Sequence, residues 1–182
     1  MSVPTVSATG LLAYIVDHAV TAVSASSTFQ DLTGAADATE ALDYIYRDYV
    51  SLEDENENTS TAPMPRAIVR LNEEAQLSLI DVGAWSSSGT IQVILESTIP
   101  EDYQQASNDS AADRKAKINA EAIWWLNTIS GIVYDVATGV LTGGTLVPYN
   151  VTMIQGRVHP EENNGVPYRW AMIGFDWRSQ RT

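Results

Sequence analysis

The chain contains no cysteine in 182 residues, which excludes disulfides, thiolate metal sites and cysteine nucleophiles together. Basic residues are scarce: 10 Lys and Arg stand against 23 Asp and Glu, for a net charge of −13. A surface that neutralises nucleic-acid phosphates needs the opposite balance, and the one cluster of cations, Arg114, Lys115 and Lys117, has Asp113 beside it. There are two histidines, His18 next to Asp17 in a helical pattern and His159 before Pro160, and they lack metal-ligand spacing. No Gly-x-Ser-x-Gly elbow and no Gly-Lys-Ser/Thr phosphate loop occurs, and the glycines at 139, 143 and 144 follow a helix rather than open one. The apolar run 11–16 is cut by Asp17 and His18, and residues 1–10 carry no basic region, so neither a membrane span nor a signal peptide is expected. The acids at 53–57 lack the spacing of an EF-hand loop. Paired acids, Glu73 with Glu74 and Glu161 with Glu162, are neighbours in turns and point apart, where acid and base work needs convergence from separate elements. These gaps predict a non-enzymatic protein with no cofactor and no metal, made and folded in a cytoplasm.

What the chain does have is periodic apolar surface. Hydrophobic residues make up 45%, enough for one well-buried core, and 182 residues predict a single domain over 1–182. Ile118, Ala122, Trp125, Ile129, Val133 and Val136 recur at helical spacing, with Lys117, Asn119, Glu121, Asn127, Thr128, Ser130 and Asp135 on an expected wet face. This predicts a long helix over about 114–137, the element around which the rest is organised. Leu11, Leu12, Ile15, Val16, Ala19, Val20 and Val23 predict another over about 10–25, with a loop at 31–37. A helix over about 38–50 follows from Ala38, Ala41, Leu42, Ile45 and Tyr49, capped by Asp37 with Glu40 three residues on, although Tyr44, Tyr46 and Tyr49 also suit a strand.

From Arg66 the period changes to two. Ala67, Val69 and Leu71, then Leu77 and Leu79, then Ile91, Val93 and Leu95 predict a strand pair over about 66–97, with 86–89 as the turn within it. A second pair spans about 149–177: Tyr149, Val151 and Met153, then an aromatic-rich strand with Trp170, Met172, Ile173, Phe175 and Trp177, ahead of a polar tail. Polar segments at about 51–64, 100–112 and 159–167 read as mobile loops, the last with an Asn-Gly turn signal. The fold class is therefore α+β, a mainly antiparallel sheet of two strand pairs with the helices packed on it. Both faces of the strand at 91–97 are apolar, so one face meets the long helix and the other is covered by the first helix or by another subunit.

The layout of an N-terminal helix (11–23), the strand opening Pro65-Arg66-Ala67-Ile68-Val69, a partner ending Val93-Ile94-Leu95-Glu96, a long helix and a closing hairpin resembles the tail terminator, or tail completion, proteins of long-tailed bacteriophages, the group of the lambda minor tail protein U. The likeness covers nearly the whole chain and lies in topology rather than in a signature motif. It implies a virion protein: a small subunit of a homo-oligomeric ring, a hexamer, that ends tail-tube polymerisation and joins tail to head. Its partners would be its own copies, the tail tube protein and the head-tail connector. The acidic balance suits a channel along which DNA slides without sticking. Interface or lumen candidates are Glu53, Asp54, Glu55 and Glu57 in the acidic segment, Glu161 and Glu162 in the hairpin loop, and two tryptophans: Trp85 in a turn-like segment and Trp124 off the main helical stripe. Two alternatives stand beside this reading. One is a head-tail connector or other neck protein; the other is a small-molecule-binding α+β domain with Trp124, Trp125 or Trp170 lining its pocket.

Overall fold

The computed structural model describes residues 11–47, 64–72, 76–81, 84–142, 147–160 and 165–181. Four α-helices and six strands run in the order α1 (Leu11–Ser24), α2 (Ser27–Thr33), α3 (Ala38–Ala41), β1 (Ile45–Arg47), β2 (Arg66–Leu71), β3 (Gln76–Asp81), β4 (Ala84–Thr98), α4 (Ala111–Thr142), β5 (Val147–Val158) and β6 (Tyr168–Arg181). The strands form one sheet in the order β1-β2-β4-β6-β5, with β3 also paired to β4. All neighbours are antiparallel except β1 and β2. The fold is α+β, with the helices packed on a mainly antiparallel sheet.

Strand β4 is the spine. It pairs with β6 from Trp85 to Thr98, while the other edge is shared by β2 opposite Ile91–Glu96 and β3 opposite Ala84–Ser88. Period-two alternation sorts its side chains: Ile91, Val93 and Leu95 join Ala67 and Val69 of β2 and Ala171, Ile173, Phe175 and Trp177 of β6 in the core. Ile15, Val16, Ala19, Val20 and Val23 of α1, Phe29 of α2, and Trp125, Ile129, Ile132 and Val136 of α4 complete that cluster, so these helices share one face of the sheet. The first helix therefore does not cover the opposite face.

Several expectations change. The segment 86–89 is not a turn: it lies inside β4, with Ser86 opposite Ser78 on one side and Gln180 on the other, and the reversal comes earlier, where Asp81 pairs with Ala84. Pairing on both edges satisfies the backbone of the serine run, which composition alone cannot reveal. The helix expected over 38–50 is a single turn, Ala38–Ala41. Asp37 caps it, accepting from the N–H groups of Thr39 (2.8 Å) and Glu40 (3.0 Å), and a 3-10 turn, Leu42–Tyr44, follows. The chain then enters β1, where Tyr46 sits opposite Ile68; the β-branched and aromatic residues prevail over the helical spacing once β2 is beside them. Residues 48–50 lie outside the described set.

Helix α2 occupies the start of an expected loop. Ser26 caps it by accepting from the Phe29 N–H (3.2 Å), and Ser26 also donates to Asp135 of α4 (2.7 Å). The approach of the two helices is tight: a Cβ on Gly131 would stand 2.4 Å from the Thr28 hydroxyl oxygen, so a side chain there would push α2 away.

Helix α4 is longer than expected, and Gly139 lies within it. Ser110 and Asp113 cap its start reciprocally, the Asp113 N–H donating to Ser110 Oγ (3.2 Å) and the Ser110 N–H to Asp113 (3.3 Å). Its stripe is rotated from the expected one. Ile132 is fully buried, Ile118 is 46% exposed, and Glu121 and Thr128, assigned to the wet face, are buried. The segment 100–112 contains a 3-10 turn, Glu101–Tyr103, whose Tyr103 ring stacks on Trp124 at 5.7 Å. At the other end, β6 continues through Trp177 to Arg181 in place of a polar tail.

Candidate interaction surface

The helices cover β2, β4 and β6; α4 also meets β5 at Arg157, through Glu121, but leaves the strand's centre uncovered. Val151 and Met153 stand opposite the buried Phe175 and Ile173, on the helix side, yet are 40% and 46% exposed. On the opposite face Ile154 is 55% exposed. Every residue over 150–155 is exposed, and none from Asn150 to Gly156 is charged. Strand β5 is also last in the sheet, so among the described residues no strand pairs with its outer edge.

The sheet face away from the helices carries an apolar row that ends on this strand. Tyr46, Ile68, Ile94, Met172 and Ile154 are successive cross-strand partners from β1 to β5. Exposure is 37% at Tyr46, 3% at Ile68 and 55% at Ile154. Polar pairs flank the row. Arg66 donates to Glu96, Arg70 Nε donates to Gln92 (2.7 Å), and Asp176 accepts from Thr90 (2.6 Å) and Asn150 (2.9 Å). Trp170, opposite Gly156, lies across β5: a Cβ on Gly156 would meet its Nε1 at 2.5 Å.

The predicted site residues fare unevenly. Glu53, Asp54, Glu55, Glu57, Glu161 and Glu162 lie outside the described residues. Trp85 is not in a turn; it belongs to β4, between Leu79 and Arg181. Trp124 is half-buried, stacked on Tyr103 and Trp125, and lines a groove of about 590 Å3 with Thr28, Asp31, Leu32, Ile123 and Asn127. Trp125 is fully buried in the core, and Trp170 lies on the other sheet face, so neither joins that groove. The residues that sequence reasoning missed are Met153 and Ile154. Alternation identified their strand, but its position at the end of the sheet depends on which strand takes the middle.

Among the described residues no group of three His, Asp or Glu side chains is placed to hold a metal, and no helix is long and apolar enough to cross a membrane. No protein-family model matches the chain, and no curated protein matches it.

Proposed function

We propose that the chain is a self-assembling structural subunit whose copies join through strand β5 into a closed ring. More particularly, we read it as a tail terminator of a long-tailed bacteriophage, which ends tube polymerisation and presents the tail to the head connector. The observation that carries this reading is β5: a 12-residue edge strand, uncharged over its centre, with apolar side chains exposed on both faces. Such an edge is a template for another chain, and folded proteins that stay monomeric blunt it. The element order of the resemblance supports the particular choice: N-terminal helix, strand, antiparallel partner, long helix and closing hairpin follow one another as that layout requires. A net charge of −13 suits a ring through which DNA passes.

Solution mass by light scattering over a concentration series, with negative-stain images of the large species, tests the reading. Closed rings of about six copies are expected, or assembly on addition of tail tube protein. A monomer at every concentration that also ignores the tube protein overturns it. Rings that bind the portal side rather than the tube indicate a neck protein instead.

One observation favours the small-molecule reading. The groove beside Trp124 has the volume of a ligand site, about 300–1,000 Å3, and combines aromatic walls with Asp31, Asn127 and Thr28. A thermal-shift screen that finds a ligand sensitive to Trp124→Leu, on a monomer, would establish it.

A further inference from the structure

Arg157 of β5 and Arg169 of β6 are direct cross-strand partners on the helix side of the sheet, where like charges repel. Between them stands Glu121 of α4, 1% exposed, whose Oε1 accepts from Arg157 Nε at 2.9 Å and Arg169 Nε at 2.8 Å. One oxygen thus takes both arginines, through one N–H of each. An arginine has five N–H donors. Arg157 gives one more to His159 Nδ1 (3.3 Å), and among the described residues the remaining donors of both guanidinium groups have no acceptor. The side chains are only 23% and 17% exposed. Two positive charges held on one carboxylate leave an excess of one, partly buried, in a protein whose surface is otherwise strongly acidic. Among the described residues the cluster is rich in donors, poor in acceptors and short of one negative charge, which matches the fork geometry with which arginine takes carboxylate or phosphate.

We propose that Arg157 and Arg169 form an oxyanion-binding site for a carboxylate or phosphate group, with Glu121 as the buried strut that fixes both guanidinium groups. The outward Nη groups hold the external anion while the Nε groups stay on Glu121. The site does not depend on ring formation.

The test is an NMR titration of the full chain at constant ionic strength, following the Arg157 and Arg169 Nε–Hε signals as inorganic phosphate, acetate or chloride is added. Saturable shifts of both signals with phosphate and acetate, absent with chloride, are expected. Glu121→Gln removes the internal charge while its amide oxygen can still accept from both Nε groups, so phosphate binding tightens about tenfold or more. Should that variant not fold, Arg169→Lys keeps the charge but loses the fork, and phosphate binding weakens several-fold. If the anion comes from a second copy, the same signals move on raising the protein concentration alone, and phosphate reverses the change; a free anion gives no such dependence. Equal responses to chloride and phosphate overturn the site. So does a Glu121→Gln protein that folds and binds phosphate no more tightly.

Discussion

At one end of the sheet β1 is three residues long, runs parallel to β2, and places Arg47 in an ion pair with Asp17 of α1 at 3.0 Å. At the other end β5 is 12 residues long, and its exposed centre, Asn-Val-Thr-Met-Ile-Gln-Gly, holds no charge. Shortness and charge are the ordinary means of closing a sheet edge to other chains, and among the described residues β1 has both while the centre of β5 has neither. The Arg47–Asp17 pair is largely solvated and adds little stability. The contrast extends to the layers. The middle strands have helices packed on one face, whereas β5 hydrogen-bonds to the sheet and leaves apolar groups exposed on both sides. Among the described residues, then, the middle of the sheet is covered by helices and the outer edge of β5 carries no strand.

The sharpest way to break this contrast is to cut into the covered middle. Trp125 is fully buried, and its indole N–H has no acceptor among the described residues, so its value lies in volume rather than in a hydrogen bond. Trp125→Ala should cost about 3–5 kcal/mol in urea unfolding, and Trp125→Phe much less. Ile154→Ala, at the open end, should stay within about 0.5 kcal/mol. Equal losses at Trp125 and Ile154 would mean that β5 is as covered as the core.

The seam between that middle and β5 comes next. Trp170 of β6 lies over Gly156 of β5, with 2.5 Å available to a Cβ, and an indole nitrogen there cannot retreat without moving the ring. Gly156→Ala should cost about 1–3 kcal/mol, and Trp170→Leu in the same chain should recover much of that loss. An alanine at 156 with no effect would place the indole elsewhere.

Periodicity carried much of the architecture. The strands at 66–71 and 91–97, the closing hairpin and the long helix are legible because their apolar residues recur with a period of two or of 3.6. Failures fell where tertiary partners outvote local pattern. Ser86–Ser88 form strand because β3 and β6 satisfy them from both sides, and 45–47 form strand because β2 lies beside them. Glu121 reads as a wet-face residue until Arg157 and Arg169, 36 and 48 residues away, are brought against it. Trp124 is half-buried against Tyr103 and Trp125, whereas Met153 and Ile154 of the last strand are exposed. That depended on strand order, and alternation does not encode which strand is last.

A smaller effect concerns acid. The Asp109 carboxyl is held below its ordinary value of 3.8, first by the hydrogen bond from Lys117 and then by the Ala106 N–H. A depressed carboxylate stabilises the fold above its ordinary pKa, and the contribution disappears as pH falls through the lower folded value. Asp109→Asn should therefore flatten the decline of Tm below pH 3.8, and added salt should shrink the difference. An unchanged acid limb would show that the Lys117 contact does not persist in solution.

The smallest expected change in stability tests the contrast most directly. Met153 and Ile154 point to opposite faces of β5, and both are about half exposed, so Met153→Lys with Ile154→Lys removes little that is buried in the isolated subunit. Two lysines on an edge strand are also a natural device against pairing, and they act on both faces at once. The double variant should unfold within about 0.5 kcal/mol of the parent in dilute solution. In light scattering it should remain monomeric at concentrations where the parent assembles. A variant that assembles normally would show that the open edge is not where copies meet. One that loses several kcal/mol as a monomer would show that these side chains are covered within the subunit, and the two ends of the sheet would then no longer differ.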